Sequence, residues 1–318
     1  MKKNLLLPAV LFFLMVACNN NANRLLIDVS DIQDPGIEIQ RYGRDLFHID
    51  PSNIAVELPE LANKYPYFLG PLPLDTLSFI QIHEFISDPF LREIAKVTEE
   101  SFPDTQGLEK DLNDAFRHYQ YYYPEVGIPL IFTYISGLDF EFPVQIQDSI
   151  ILIALDMYLG KHFEPYAMSS NPLYRTRRAT PEHITRDVML EIANTLPVSY
   201  RTENILLDQM IEKGKMLYFL DAMMPLVHDT IKIAYSNNQL DWCLANEKNL
   251  WAFVIENKLL FSSDYEKTHK LIIDGPFTSF FPEGSPSRTG WWIGWQVVRG
   301  FMENNQDVSV PQLMKDIT

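Results

Sequence analysis

Thr180-Pro181-Glu182-His183-Ile184-Thr185-Arg186-Asp187-Val188-Met189-Leu190-Glu191-Ile192-Ala193-Asn194-Thr195-Leu196-Pro197 is the stretch that decides the fold. Ile184, Val188 and Ile192 recur at helical spacing, with Met189, Ala193 and Leu196 beside them, so one helix face is turned to a core. The Thr180 hydroxyl is placed to cap free backbone N–H groups. Pro181 suits the first helical position, and Glu182 suits the positive end of the helix dipole. Pro197 ends the pattern. A second helical run starts at Thr202-Glu203, carries Ile205, Leu206, Leu207, Met210, Ile211, Leu217, Phe219 and Leu220, and stops before Pro225. A helix pair that follows a sheet is where one large enzyme class keeps its metal, which makes residues 180–225 the first candidate site.

Ahead of this pair, residues 37–42 partly alternate as a half-buried strand does, and residues 54–69 read as a helix broken by Gly70-Pro71-Leu72-Pro73. Helices are predicted over 76–86, over 90–100 behind the Asp88-Pro89 cap signal, and over 105–122. Residues 128–135, 142–146 and 150–158 are rich in β-branched and aromatic side chains and read as three strands. After the pair, helices are predicted over 226–237, 240–257, 264–272 and, beyond a Pro/Gly/Ser loop at 275–290, over 291–303. No internal repeat or low-complexity linker divides the chain after Asn23. The order predicts one α+β domain over residues 25–318, predominantly helical with a small β-sheet.

The N-terminus reads as a targeting segment. Lys2 and Lys3 precede an apolar run over residues 5–16, too short to span a bilayer, which takes about 20 residues. Met15-Val16-Ala17-Cys18 resembles a bacterial lipobox, which implies cleavage after residue 17 and acylation of Cys18. The Asn-rich residues 18–24 then form a tether. They lack an acidic cluster after the cysteine, which favours a periplasm-facing position over the cell surface. Removal of residues 1–17 leaves 24 basic against 42 acidic side chains, a formal charge of −18. That balance excludes nucleic acid as a partner and argues against adhesion to anionic headgroups. The acid is scattered, as on a solvated surface. Cys243 is the other cysteine and is read as a small core residue; no internal disulfide framework is possible.

A zinc peptidase of the HExxH type needs two histidines one helical turn apart, a glutamate beside the first as general base, and a third ligand from a later helix. His83-Glu84 is followed by Ser87 where the second histidine belongs, and half a motif holds no metal. His183, Asp187 and Glu191 fall at i, i+4 and i+8. They are read as a solvated helix face, with a metal or polar site as the alternative. Arg186 and Asp187 are neighbours that diverge by about 100° on a helix and are not expected to pair face to face. Gly214, inside the second run, costs about 1 kcal/mol relative to alanine and is read as a close helix contact rather than a hinge. Four tyrosines at 119 and 121–123 cannot all face inward. No G-x-S-x-G elbow, phosphate-cradling glycine loop or C-x-x-C is present.

The lipobox at Cys18, Ile39-Gln40-Arg41-Tyr42 with Asp45-Leu46-Phe47, Asp187-Val188-Met189, and above all Ser287-Arg288-Thr289-Gly290-Trp291-Trp292-Ile293-Gly294-Trp295-Gln296-Val297-Val298 resemble the gliding-motility lipoproteins of the GldB family. The resemblance covers nearly the whole chain. That family is similar in turn to predicted zinc metallopeptidases, which implies a zincin-like fold with a small sheet, an active-site helix and a second helix that supplies a Glu ligand. On that resemblance HExxH aligns with Arg186-Asp187-Val188-Met189-Leu190, and Glu212 takes the third-ligand position. Arginine repels a divalent cation, leucine has no lone pair, and one glutamate cannot hold catalytic zinc. The expectation is a non-catalytic, zincin-like lipoprotein without cofactor, anchored through Cys18 in the outer membrane facing the periplasm. It would serve the gliding machinery and its associated secretion system by scaffolding or protein binding. Arg186, Asp187, Glu212 and Arg288 are the residues expected near the degenerate cleft. The alternatives are an atypical zinc metallopeptidase that uses His183, Asp187 and Glu212, and a periplasmic peptide- or glycan-binding lipoprotein.

Overall fold

The computed structural model describes residues 24–70, 75–168, 172–196 and 204–315. The signal segment, Cys18, the turn at 71–73, Pro197 and Thr202-Glu203 lie outside the described residues. In chain order the elements are β1 (Ile39–Gln40), α1 (Tyr42–Phe47), α2 (Ile54–Lys64), α3 (Pro66–Leu69), α4 (Thr76–Ser87), α5 (Pro89–Ser101) and α6 (Gln106–Tyr122). Then come β2 (Leu130–Tyr134), β3 (Val144–Gln147), β4 (Ile150–Ala154), α7 (Glu164–Met168), α8 (Leu173–Thr176) and α9 (Ile184–Thr195). The last are α10 (Leu206–Met223), α11 (Asp229–Ile233), α12 (Asn237–Glu256), α13 (Tyr265–Ile272), α14 (Thr289–Asn304) and α15 (Val310–Lys315). This is the expected α+β class, mostly helix around a small sheet.

The sheet runs β1-β2-β4-β3, with β1, β2 and β4 parallel and β3 antiparallel to β4. The two central strands, β2 and β4, are largely apolar on both sides because both faces are covered. Ile131, Ile151 and Ile153 join the large core built with α6, α9, α10 and α14. Phe132 joins a smaller core with Tyr42, Leu58, Tyr65 and Ile86, and Ile150 and Leu152 pack against it. Period-2 alternation therefore sorts each strand between two helical layers. The expected first strand shrinks to two residues for a local reason. Beside it the Ile37 and Ile39 amides donate to Asn113 Oδ1 (3.0 Å) and Glu109 Oε1 (2.9 Å) of α6, so side chains and not another strand close that edge. Among the described residues the other edge strand, β3, pairs only with β4, and it exposes Gln145 and Gln147.

The helix signals hold where aspartate supplies the cap. Asp75 accepts from the Leu77 and Ser78 amides, and Asp88 from Phe90 and Leu91. Thr180 does not cap: its Oγ1 lies 2.8 Å from His183 Nδ1, so the imidazole takes the hydroxyl, and α9 starts at Ile184 after one 3₁₀ turn. The helix expected over 226–237 is cut to α11, because Ala234 turns left-handed (φ 56°) and ends it.

α10 and α14 form the centre of the large core. Gly214 and Gly294 face each other across this pair: a Cβ on Gly214 would meet Trp295 N at 2.8 Å and the Gly294 carbonyl closer still. The mid-helix glycine is thus a close backbone contact. Cys243 is buried and free, and burial pushes its thiol up to about 12, as suits an inert core residue. Tyr119 is buried and Tyr121 exposed, so the tyrosine cluster does split between core and surface.

Candidate functional site

α9 carries its apolar stripe into the core and turns the other side toward a cavity of about 310 Å³. The chain entering β3, from Phe140 to Val144, and Tyr158 line it as well. Arg186, Asp187, Leu190 and Glu191 of α9 line it, as do Arg175 of α8 and Arg178 from the turn after it. Three arginines stand against three carboxylates, counting Glu141, so the walls carry both signs in equal number.

Arg186 and Asp187 do pair, contrary to the helical-wheel argument. Arg186 Nη1 donates to Asp187 Oδ1 at 2.6 Å. The 100° divergence holds at Cβ, but a guanidinium on a four-atom stem reaches around to the next residue. Arg186 is only 2% exposed. Its Nε donates to the Lys232 carbonyl at 2.9 Å, while Nη2 is buried without a hydrogen-bond partner. Asp187 also accepts from the Tyr158 hydroxyl at 3.0 Å. Both residues are committed to internal bonds.

The expected solvated stripe holds at Glu191, which is half-exposed and accepts from Asn194 Nδ2 at 3.0 Å, but not at His183, which is buried. Burial pushes its ring below the ordinary value of 6.5; Asp187 pulls it partly back, and Arg186 adds to the fall. The unfolded chain then binds more protons below about pH 6.5, so stability rises with pH across that window and is lost as pH falls. The thermal midpoint is expected to drop more steeply between about pH 7 and 5 in the native protein than in His183→Gln. Equal slopes would remove His183 from the account.

Arg288 sits behind the cavity and not in it. It is left-handed (φ 56°), 5% exposed, and lies over the Tyr235 and Trp291 rings at 5.6 and 5.2 Å. Its Nη2 donates to the Ile233 carbonyl at 2.9 Å, next to the Lys232 carbonyl that Arg186 holds. Two buried arginines therefore cap the C-terminal end of α11, where partial negative charge collects. Burial lowers the Arg288 guanidinium to about 10, against the opposing pull of Asp274. Asp274 pairs with Arg288 Nε at 3.4 Å and with Arg178 Nη2 at 3.0 Å, linking Arg288 to the cavity wall. Glu212 does not line the cavity: it is half-exposed and paired with Lys213 Nζ at 2.9 Å. His83-Glu84 lies on α4, remote in sequence from this site.

Arg178, Tyr158, Lys232 and Asp274 escaped the sequence reading. A basic doublet, Arg177-Arg178, in an acidic chain was the one local signal. The residues at the positions where HExxH was expected to align do not fit zinc: a buried arginine, a carboxylate already bound by arginine and tyrosine, and leucine. Among the described residues no group of three or more His, Cys, Asp or Glu side chains is arranged to hold a metal ion, and no helix is long and apolar enough to cross a membrane.

The comparisons with known proteins divide sharply. No curated protein and no solved structure matches the chain. The family model GldB_lipo, described as gliding motility protein GldB, matches residues 22–318, and the chain belongs to that family.

Proposed function

We propose that the protein serves gliding motility as a non-catalytic scaffold of the cell envelope, and that the cavity between α9 and the entry to β3 receives a segment of another protein of the motility or secretion machinery. Membership of the family supports the motility role. The observation that carries the non-catalytic reading is the Arg186–Asp187 pair. The helix on which the resemblance places the HExxH motif carries a buried cation and a carboxylate that already accepts from Arg186 and Tyr158. The open edge of β3 and the balanced charges of the cavity suit an extended polypeptide added as a further strand. A zincin-like ancestry, a single domain over residues 25–318, acylation of Cys18 and an outer-membrane, periplasm-facing position belong to the same reading.

Elemental analysis of the purified protein is expected to give no stoichiometric zinc, and Glu212→Ala is expected to change nothing in it. One equivalent of zinc lost on that substitution would return the metallopeptidase. Pull-down of the lipidated protein from membranes is expected to recover motility or secretion components, with recovery lost in Ile146→Pro, which removes an amide that faces away from β4 and so blocks strand addition on the β3 edge. Normal gliding in cells that lack the protein would sink the motility role.

A further inference from the structure

A second cavity, of about 380 Å³, lies between α1 and α5. Arg41 follows β1 directly, Tyr134 ends β2 and Leu155 follows β4, and all three line it. The cavity therefore sits beyond the carboxyl ends of all three parallel strands, where open sheets flanked by helices collect their ligands. Its charge is the reverse of the molecule's. The mature chain carries −18, yet Arg41, Arg44, Arg92 and Lys96 line this cavity against Glu93 and Glu99.

The two carboxylates do not neutralise the four cations. Glu99 Oε2 is engaged by His48 Nε2 at 2.9 Å. Arg44 bonds Asp45, but Asp45 also accepts from Lys64 and Tyr65, so that carboxylate brings a further cation with it. Arg41 is 9% exposed: its Nη1 and Nη2 donate to the Pro103 and Phe102 carbonyls, and its Nε is buried without a partner. Burial, and then the neighbouring Arg44, pull its guanidinium below the usual arginine range. Arg92 gives one bond to the Ile86 carbonyl. Phe47, Ile135 and Leu155 supply an apolar part of the wall.

We propose that this cavity binds a phosphate monoester, its dianion held by Arg41, Arg44, Arg92 and Lys96 and its organic part against Phe47, Ile135 and Leu155. A doubly charged oxyanion matches the surplus of two positive charges, and planar guanidinium forks suit its geometry. The cavity is larger than phosphate alone requires. The site uses the Ile39-Gln40-Arg41-Tyr42 and Asp45-Leu46-Phe47 stretches, which the cavity at α9 leaves without a role, and it does not depend on that cavity's function.

Calorimetric titration of the full-length, detergent-solubilised protein with inorganic phosphate tests the group itself. Saturable binding is expected, weakened at least about tenfold in Arg92→Ala/Lys96→Ala and unchanged in Lys248→Ala, an exposed lysine on α12. Arg92 and Lys96 are exposed, so the variant keeps its fold; Lys96→Ala alone repeats the measurement with a smaller change. Glycerol phosphate and short-chain phosphatidic acid then distinguish carriers. Tighter binding of the first assigns a soluble ester and of the second a lipid headgroup; both support the site. No saturable phosphate binding, or equal binding by the native protein and the double variant, overturns it.

Discussion

Replacing Gly294 by alanine is expected to cost about 3 kcal/mol of stability or more, read as a lower urea midpoint at unchanged slope. Overpacked side chains usually relax by changing rotamer, but here there is no side chain to move. A Cβ at Gly294 would penetrate the Met210 carbonyl group and lie 3.2 Å from Met210 Cα, and the reciprocal position across the contact is Gly214. Relief requires separating α10 from α14, which loosens the core around Trp292, Trp295, Leu217 and Leu220. Gly300→Ala on the same helix is the control. Nothing lies within 4 Å of a Cβ there, so alanine is expected to stabilise by up to about 1 kcal/mol. Similar effects at the two glycines would show that the close contact does not govern stability.

Asp221→Ala is expected to be as damaging, at about 3–5 kcal/mol in chemical denaturation near neutral pH. Asp221 is 3% exposed and accepts from Lys232 Nζ (2.9 Å), Trp295 Nε1 (2.8 Å), and Arg299 Nε and Nη2 (both 2.7 Å). Its loss leaves a 4% exposed lysine with only Asp229, at 3.8 Å, and an indole N–H without an acceptor. Arg299 keeps its bonds to Asp229 and its place 3.7 Å over the Trp295 ring. The damage is thus centred on Lys232, and Asp221→Leu/Lys232→Met is expected to recover most of it, since an apolar pair has no charge to desolvate. A loss below about 1 kcal/mol for Asp221→Ala, or no recovery in the double variant, would show that water replaces the carboxylate at this site.

Periodicity made the helices legible, because the spacing of Ile184, Val188 and Ile192 states which face is buried whatever covers it. The β-branched and apolar run at Ile150–Ala154 marked a strand as well, although it did not name the two helical layers that cover it. Local polar signals were less reliable. Thr180 had the right chemistry for a cap, but a hydroxyl takes the strongest partner in reach, and His183 stood three residues on. Gly214 announced close packing, but its counterpart Gly294 lies eighty residues away and nothing in the sequence joins them. The same distance hid the site. Arg178, Asp274 and Arg288 form one bracket behind the α9 cavity, each supplied by a different segment. Arg41 read as part of a strand; only the approach of α5 to the sheet makes it the wall of a cationic cavity.

Arg24, the first described residue, donates to the carbonyls of Met302, Asn305 and Val308 at 2.8, 3.2 and 2.6 Å. These bonds fasten Arg24 to the C-terminal end of α14 and the turn after it. A pull on the polypeptide ahead of Arg24 is therefore delivered first to three charge-assisted bonds loaded together, and then along α14 into the glycine crossing with α10. Tension passed through Arg24 thus reaches a core helix and not an edge strand.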